Sequence, residues 1–235
     1  MFETTRWSLV QAAGSLRGSV AREAFGALGE TYWYPLYAYA RRDGCPPEAA
    51  EDRVQEYFAF LLTGTALATA DPLRGRFRSF LLKSFQNFLK SEHRRETALK
   101  RGGGRVVQSL DGDRAEARYV MEPADTAAPD RLFERQWALT LLEATREEIR
   151  REYESRGQGT LFAGLEAHLR QDPTQVPYAA LGVELDLTEE ALKAAAHRLR
   201  KRFRELLRRA VAETLVDPAE IDDELKWLLR AVSGE

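Results

Sequence analysis

The stretch "LTEEALKAAAHRLRKRFRELLRR", residues 187–209, constrains the fold more than any other part of this 235-residue chain. At 100° per residue, Leu192, Ala195, Ala196, Leu199, Phe203, Leu206 and Ala210 share one side, the pattern of an α-helix packed on a core. Lys193, His197, Arg200, Lys201, Arg204 and Arg208 share another, flanked by Arg198, Arg202 and Arg209. Thr188 is placed to cap the first N–H groups, and Glu189 and Glu190 suit the positive end of the dipole. Leu187 and Leu192 have the spacing of a hydrophobic staple. Like charges such as Arg200–Arg204 and Arg204–Arg208 cost about 0.2–0.5 kcal/mol per pair. Solvated faces normally mix signs, so this stripe calls for an anionic partner.

Just upstream, "PYAALGVELD" supplies a short helix and a tight turn over residues 184–187. The two helices read as a helix-turn-helix, a motif that lays the start of its second helix in the DNA major groove. The turn position usually held by Gly falls on Asp186, which tolerates left-handed geometry better than most residues.

The formal charge of −2 conceals this chemistry. Residues 73–105 hold ten Lys/Arg against two Glu, and residues 188–210 hold eight against three. Everything else carries 17 basic and 32 acidic side chains, so two basic islands sit in an acidic background. No apolar stretch approaches the roughly 18 residues of a membrane span. No basic region followed by an apolar core marks a secretory signal, and a cytoplasmic location is expected. Cys45 is the only cysteine, which excludes an internal disulfide and a thiolate cage.

Helical periodicity runs through the rest, and no segment alternates with period two, so the fold class is all-α. Residues 1–97 form the first expected domain, with helices at "TRWSLVQAA", "SVAREAFGALGETYWYPLYAYARR", "PPEAAEDRVQEYFAFLL" and residues 77–95. Pro47 suits a first helical turn, and Ala50, Val54, Tyr57, Phe58 and Leu61 make an apolar stripe. Phe77, Phe80, Leu81, Phe85 and Phe88 are the expected buried side of the fourth helix. Lys83, Asn87, Lys90 and Arg94 face the other way, and an Asn amide within a basic stripe can read a base edge. The loop before that helix adds Arg74, Arg76 and Phe77, which if exposed there supplies, with the arginines, chemistry that holds unstacked single-stranded bases. Residues 98–130, with three consecutive glycines and two prolines, read as a linker. Residues 131–235 form the second domain, including an additional helix near 158–170 and a last one capped by Asp217. Residues 213–235 hold seven acids against Lys226 and Arg230, and this acidic helix is expected to fold over the cationic stripe of the second domain.

"AEDRVQEYFAFLL", then "GRFRSFLLKSFQNFLKSEHRR", then a linker and "ALKAAAHRLRKRFRELL" together resemble a sigma-70-family RNA polymerase sigma factor. The small extracytoplasmic-function type, with domains two and four alone, is the nearest likeness. The flanks "TRWSLV" and "DPAEIDDELKWLL" are similar to a divergent planctomycete-like branch. The resemblance implies that Asp52, Gln55 and Glu56 grip the β′ clamp of core RNA polymerase, with the β flap as a further contact. It implies that residues 70–77 and the following helix bind the non-template strand of the −10 element of promoter DNA, Asn87 reading a flipped base. Lys193, His197 and Arg198 then match positions that approach the −35 element, with Arg200, Lys201 and Arg204 along the same helix. Ala194 and Ala195 stand where relatives often carry Ser and Arg, which shifts affinity toward phosphates that position without specifying. An anti-sigma factor is a further implied partner.

Two rivals remain. A helix-turn-helix regulator that never touches polymerase leaves the "DRVQEYF" face unexplained. An enzyme is disfavoured because His93, His168 and His197 form no HExxH-like pair and "KRGGGR" lacks the phosphate-loop frame. Neither cofactor nor metal is expected.

Overall fold

The computed structural model describes residues 19–63, 76–99, 110–121, 128–169, 176–215 and 217–233. Among them every regular element is a helix: α1 Ser19–Arg42, α2 Pro47–Leu62, α3 Phe77–Leu99, α4 Leu110–Val120, α5 Pro129–Ser155, α6 Gly159–Leu169, α7 Tyr178–Leu185, α8 Glu189–Ala212 and α9 Ile221–Ser233. A 3-10 turn, Pro218–Glu220, leads into α9, and the side chain of Asp217 accepts the N–H of Ala219 at its start, as the sequence predicts. Pro47 stands in the first turn of α2. The expected helix at "TRWSLVQAA" and the residue Arg74 lie outside the described residues.

The helices sort into two compact units. The first takes the described residues up to Thr140 and those from Ala212 onward; the second takes Leu141–Val211. Both divisions fall inside a helix, one in α5 and one at the end of α8.

An aromatic core fills the first unit. Tyr32, Tyr37, Tyr57, Phe77 and Phe85 are fully buried. Tyr57 lies 4.9 Å from Phe85 and 5.5 Å from Phe88, and its hydroxyl donates to the Leu81 carbonyl at 3.1 Å. One side chain of α2 thus fixes α3 by burial, ring packing and a buried hydrogen bond. Pro35 sits inside α1 and costs it a backbone hydrogen bond; the complete burial of Leu36, Tyr37, Ala38 and Ala40 beside it offsets that loss.

Two boundaries differ from those expected. Within residues 98–130, α4 is an ordered helix clamped to α1. Arg41 forks onto Glu116 with bonds of 2.8 and 2.7 Å, Tyr37 donates to the same carboxylate at 2.6 Å, and Arg118 lies 3.7 Å over the Tyr34 ring. Bidentate pairing plus a phenol bond holds Glu116 below the ordinary carboxylate range, the Arg41 hydrogen bonds contributing most. The acidic helix α9 belongs to the first unit, not to the second domain as residues 131–235 would have it. There the Trp227 ring meets Trp137 at 5.9 Å, and Glu224 pairs with Arg76 and Arg78. The Trp pair and these ion pairs set its place.

Candidate nucleic-acid interface

The second unit holds the helix-turn-helix. Ile149, Tyr153, Phe162, Leu165, Leu181, Leu192, Ala195, Ala196, Leu199 and Leu206 form its core, with α6 contributing Phe162 and Leu165. At the end of α7 Asp186 takes φ 52° and ψ 48°, the only left-handed non-Gly residue among those described. The Leu187 N–H reaches back to the Gly182 carbonyl at 3.0 Å, the bond that closes a Schellman-type end. Thr188 then opens α8: its hydroxyl accepts the Ala191 N–H at 3.2 Å and its carbonyl the Leu192 N–H at 3.0 Å.

Sequence reasoning passed over Gly182. A Cβ there would stand 2.6 Å from the Leu187 carbonyl oxygen. The turn approaches α7 so closely that only glycine fits. An isolated Gly inside a helical pattern was the available signal.

Along α8, Lys193, His197, Arg198, Lys201, Arg204 and Arg208 are exposed. His197, Lys201 and Arg204 follow one face at i, i+4 and i+7 and make no ion pair among the described residues. Lys193 pairs with Glu189 at 2.6 Å on the surface. Arg200 is a correction: half-buried, it donates to the His168 carbonyl and the Tyr178 hydroxyl, both at 3.3 Å, and so ties α8 to α6 and α7. Arg202 and Arg209 are engaged by Glu152 and Glu148 of α5. The cationic face is therefore narrower than a helical wheel suggests. Its first turns present Glu189, Glu190 and Ala194, and the exposed cations Lys201 and Arg204, which make no ion pair among the described residues, lie further along.

In the first unit, Lys83, Asn87, Lys90 and Arg94 are all exposed on α3. Behind them Phe77, Leu81 and Phe85 are buried and Phe80 and Phe88 partly so. Phe77 bears out its place on the buried side of the helix and corrects the base-stacking reading. It is 0% exposed, edge-on to Tyr32 at 5.6 Å, and therefore not a surface for stacking bases. Arg76 is a third: its Nε donates to Glu224 at 2.9 Å.

On α2, Gln55 and Glu56 are exposed and Asp52 is half-buried, opposite the fully buried Ala50, Val54, Tyr57 and Leu61. Gln55 donates to Glu51 at 3.0 Å, and Glu56 accepts from Arg53 at 2.5 Å. Among the described residues no group of three His, Cys, Asp or Glu is placed to hold a metal, and no helix is long and apolar enough to cross a membrane. No family model matches the chain, and neither the curated proteins nor the solved structures give a match.

Proposed function

We propose that this protein is a sigma-type transcription initiation factor that joins core RNA polymerase to promoter DNA. The observation that carries the reading is the pairing of two exposed basic helix faces, each backed by its own core. One is Lys83, Asn87, Lys90 and Arg94 on α3; the other is His197, Lys201 and Arg204, with Arg198 and Arg208, on the second helix of a helix-turn-helix. In this reading α8 contacts the −35 duplex chiefly through phosphates, α3 holds the −10 strand with Asn87 at a base edge, and Asp52, Gln55 and Glu56 meet the polymerase clamp. No catalytic chemistry is assigned to the chain, and an anti-sigma partner belongs to the same reading.

The test is in vitro transcription and pull-down with bacterial core polymerase, comparing the wild type with Asp52→Arg/Gln55→Ala/Glu56→Arg. Promoter-dependent transcripts that disappear in the triple variant are expected. The second reading, a duplex-binding regulator without polymerase, draws on the burial of Phe77 and the pairing of Arg76. It prevails if the wild type ignores core polymerase yet shifts duplex DNA with a steep salt dependence.

A further inference from the structure

Glu224 is the only carboxylate among the described residues with no exposed surface. Its two oxygens accept from Arg78, itself 3% exposed, and from the Nε of Arg76. The Arg78 guanidinium lies over the Trp227 ring at 3.8 Å and the Trp137 ring at 4.7 Å. Its Nε has no acceptor among the described residues, so the cluster holds one more donor than the carboxylate uses.

An ion pair buried this deeply is a poor device for stability, because desolvation offsets most of the attraction and apolar side chains would serve as well. The arrangement does make sense as an anion site. Two guanidiniums converge on one point at the entrance to α3, within the basic island of residues 73–105. A phosphodiester offers the same paired oxygens plus ester oxygens for the spare donor. Glu134, the other acid near both arginines, is held above the ordinary carboxylate range by burial.

We propose that α9 is an internal stopper on a phosphate-binding site of the first unit, with Glu224 standing where the backbone of single-stranded nucleic acid binds once the helix is displaced. Its departure uncovers Arg76, Arg78 and Trp137, the combination of cations and an aromatic face that holds unpaired strands. It also removes Asp222 and Asp223, both exposed, from the approach. The inference rests on the nucleic-acid reading of this unit and adds its regulation.

The test measures the affinity of a labelled oligothymidylate by fluorescence anisotropy across a salt series. Three chains are compared: the full chain, the chain ending at residue 216, and full-length Glu224→Gln, which keeps the shape of the side chain. Both variants should bind on the order of tenfold tighter than the wild type, within the usual range of a coupling between sites. Their log–log salt slopes should steepen by about 0.7 for each phosphate newly engaged. A peptide of residues 217–235 added to the shortened chain should reverse the gain. Equal or weaker affinity with an unchanged slope in Glu224→Gln overturns the proposal, and that variant alone decides if the shortened chain does not fold. Polymerase-dependent transcription is a separate readout: tighter strand binding without transcription removes the sigma reading and leaves the stopper, and the reverse result does the opposite.

Discussion

The two units differ in how deeply each buries one of its cross-helix ion pairs. In the second, the arginines of α8 that face α5 meet carboxylates at the surface: Arg202 with Glu152 at 2.5 Å, their side chains 39% and 21% exposed, and Arg209 with Glu148. In the first, Arg78 and Glu224 are drawn wholly inside, with the guanidinium over two tryptophan rings. Solvent screens the first kind of pair, so it adds about 0–1 kcal/mol and leaves the other cations of α8 available. The second kind has lost its hydration and depends on each partner being present. A surface pair gives up its charge to another ion at little cost, whereas a buried pair gives it up only when a helix moves.

The largest effect should follow from breaking the buried pair on one side. Arg78→Met leaves Glu224 buried with Arg76 as its only cation and should lower the stability of the first unit by about 3–5 kcal/mol. The double change Arg78→Met/Glu224→Leu removes both charges and should recover most of that loss, since apolar replacements of buried pairs are neutral or stabilising by about 1–4 kcal/mol. Urea unfolding followed by tryptophan fluorescence reads this directly, with Trp137 and Trp227 beside the pair. A loss of under about 1 kcal/mol for the single variant would place the buried pair with the surface ones and erase the contrast.

Next in size is Gly182→Ala in the second unit. Its new methyl carbon would stand 2.6 Å from the Leu187 carbonyl oxygen, a backbone atom that moves only if the turn opens. A loss of about 1–3 kcal/mol in thermal unfolding is expected. Gly26→Ala is the matching control in the first unit. A Cβ there meets nothing within 4 Å, so the change should stabilise α1 by about 0.5–1 kcal/mol. Equal effects at the two positions would mean that the turn has slack.

What the sequence makes legible is local. The ends of α1, the Thr188 and Asp217 caps and the left-handed Asp186 each depend on residues within a few positions, and periodicity and capping chemistry find them. The exposed stripe Lys83, Asn87, Lys90 and Arg94 is legible for the same reason. Pairings across the chain are not: Arg41 finds Glu116 75 residues away, Arg78 finds Glu224 146 away, and Arg202 finds Glu152 50 away. These decide that residues 110–120 are a helix packed on α1 and that α9 joins the first unit. Phe77 carries two sequence readings, buried by the periodicity of its helix and exposed by its place in "RGRFR", and Tyr32 supplies the pocket wall that buries it. Arg200 shares a wheel face with Arg204, but the acceptors that occupy it come from α6 and α7, which a helical wheel leaves out.

The smallest effect should come from Arg202→Ala, and its pH dependence tests the contrast most finely. At neutral pH the loss should stay below about 1 kcal/mol, because the pair is partly in water. Glu152 is held below its ordinary value of 4.5, first of all by the Arg202 hydrogen bonds. A depressed carboxyl contributes stability that is present above its unfolded value and lost as the pH falls through the folded one. The gap between wild type and Arg202→Ala should therefore close in acid. Glu134 in the first unit carries the opposite sign, because burial raises it. Its folded form holds a proton more tightly than the unfolded chain does, so it costs stability at neutral pH, and that cost fades as the pH falls through its folded value. Glu134→Gln should then stabilise at neutral pH and lose its advantage in acid. Denaturant midpoints measured from neutral to acidic pH separate the two. A gap for Arg202→Ala that persisted unchanged in acid would assign the role of Arg202 to the packing of its aliphatic stem rather than its charge, and the two units would then differ in burial but not in electrostatics.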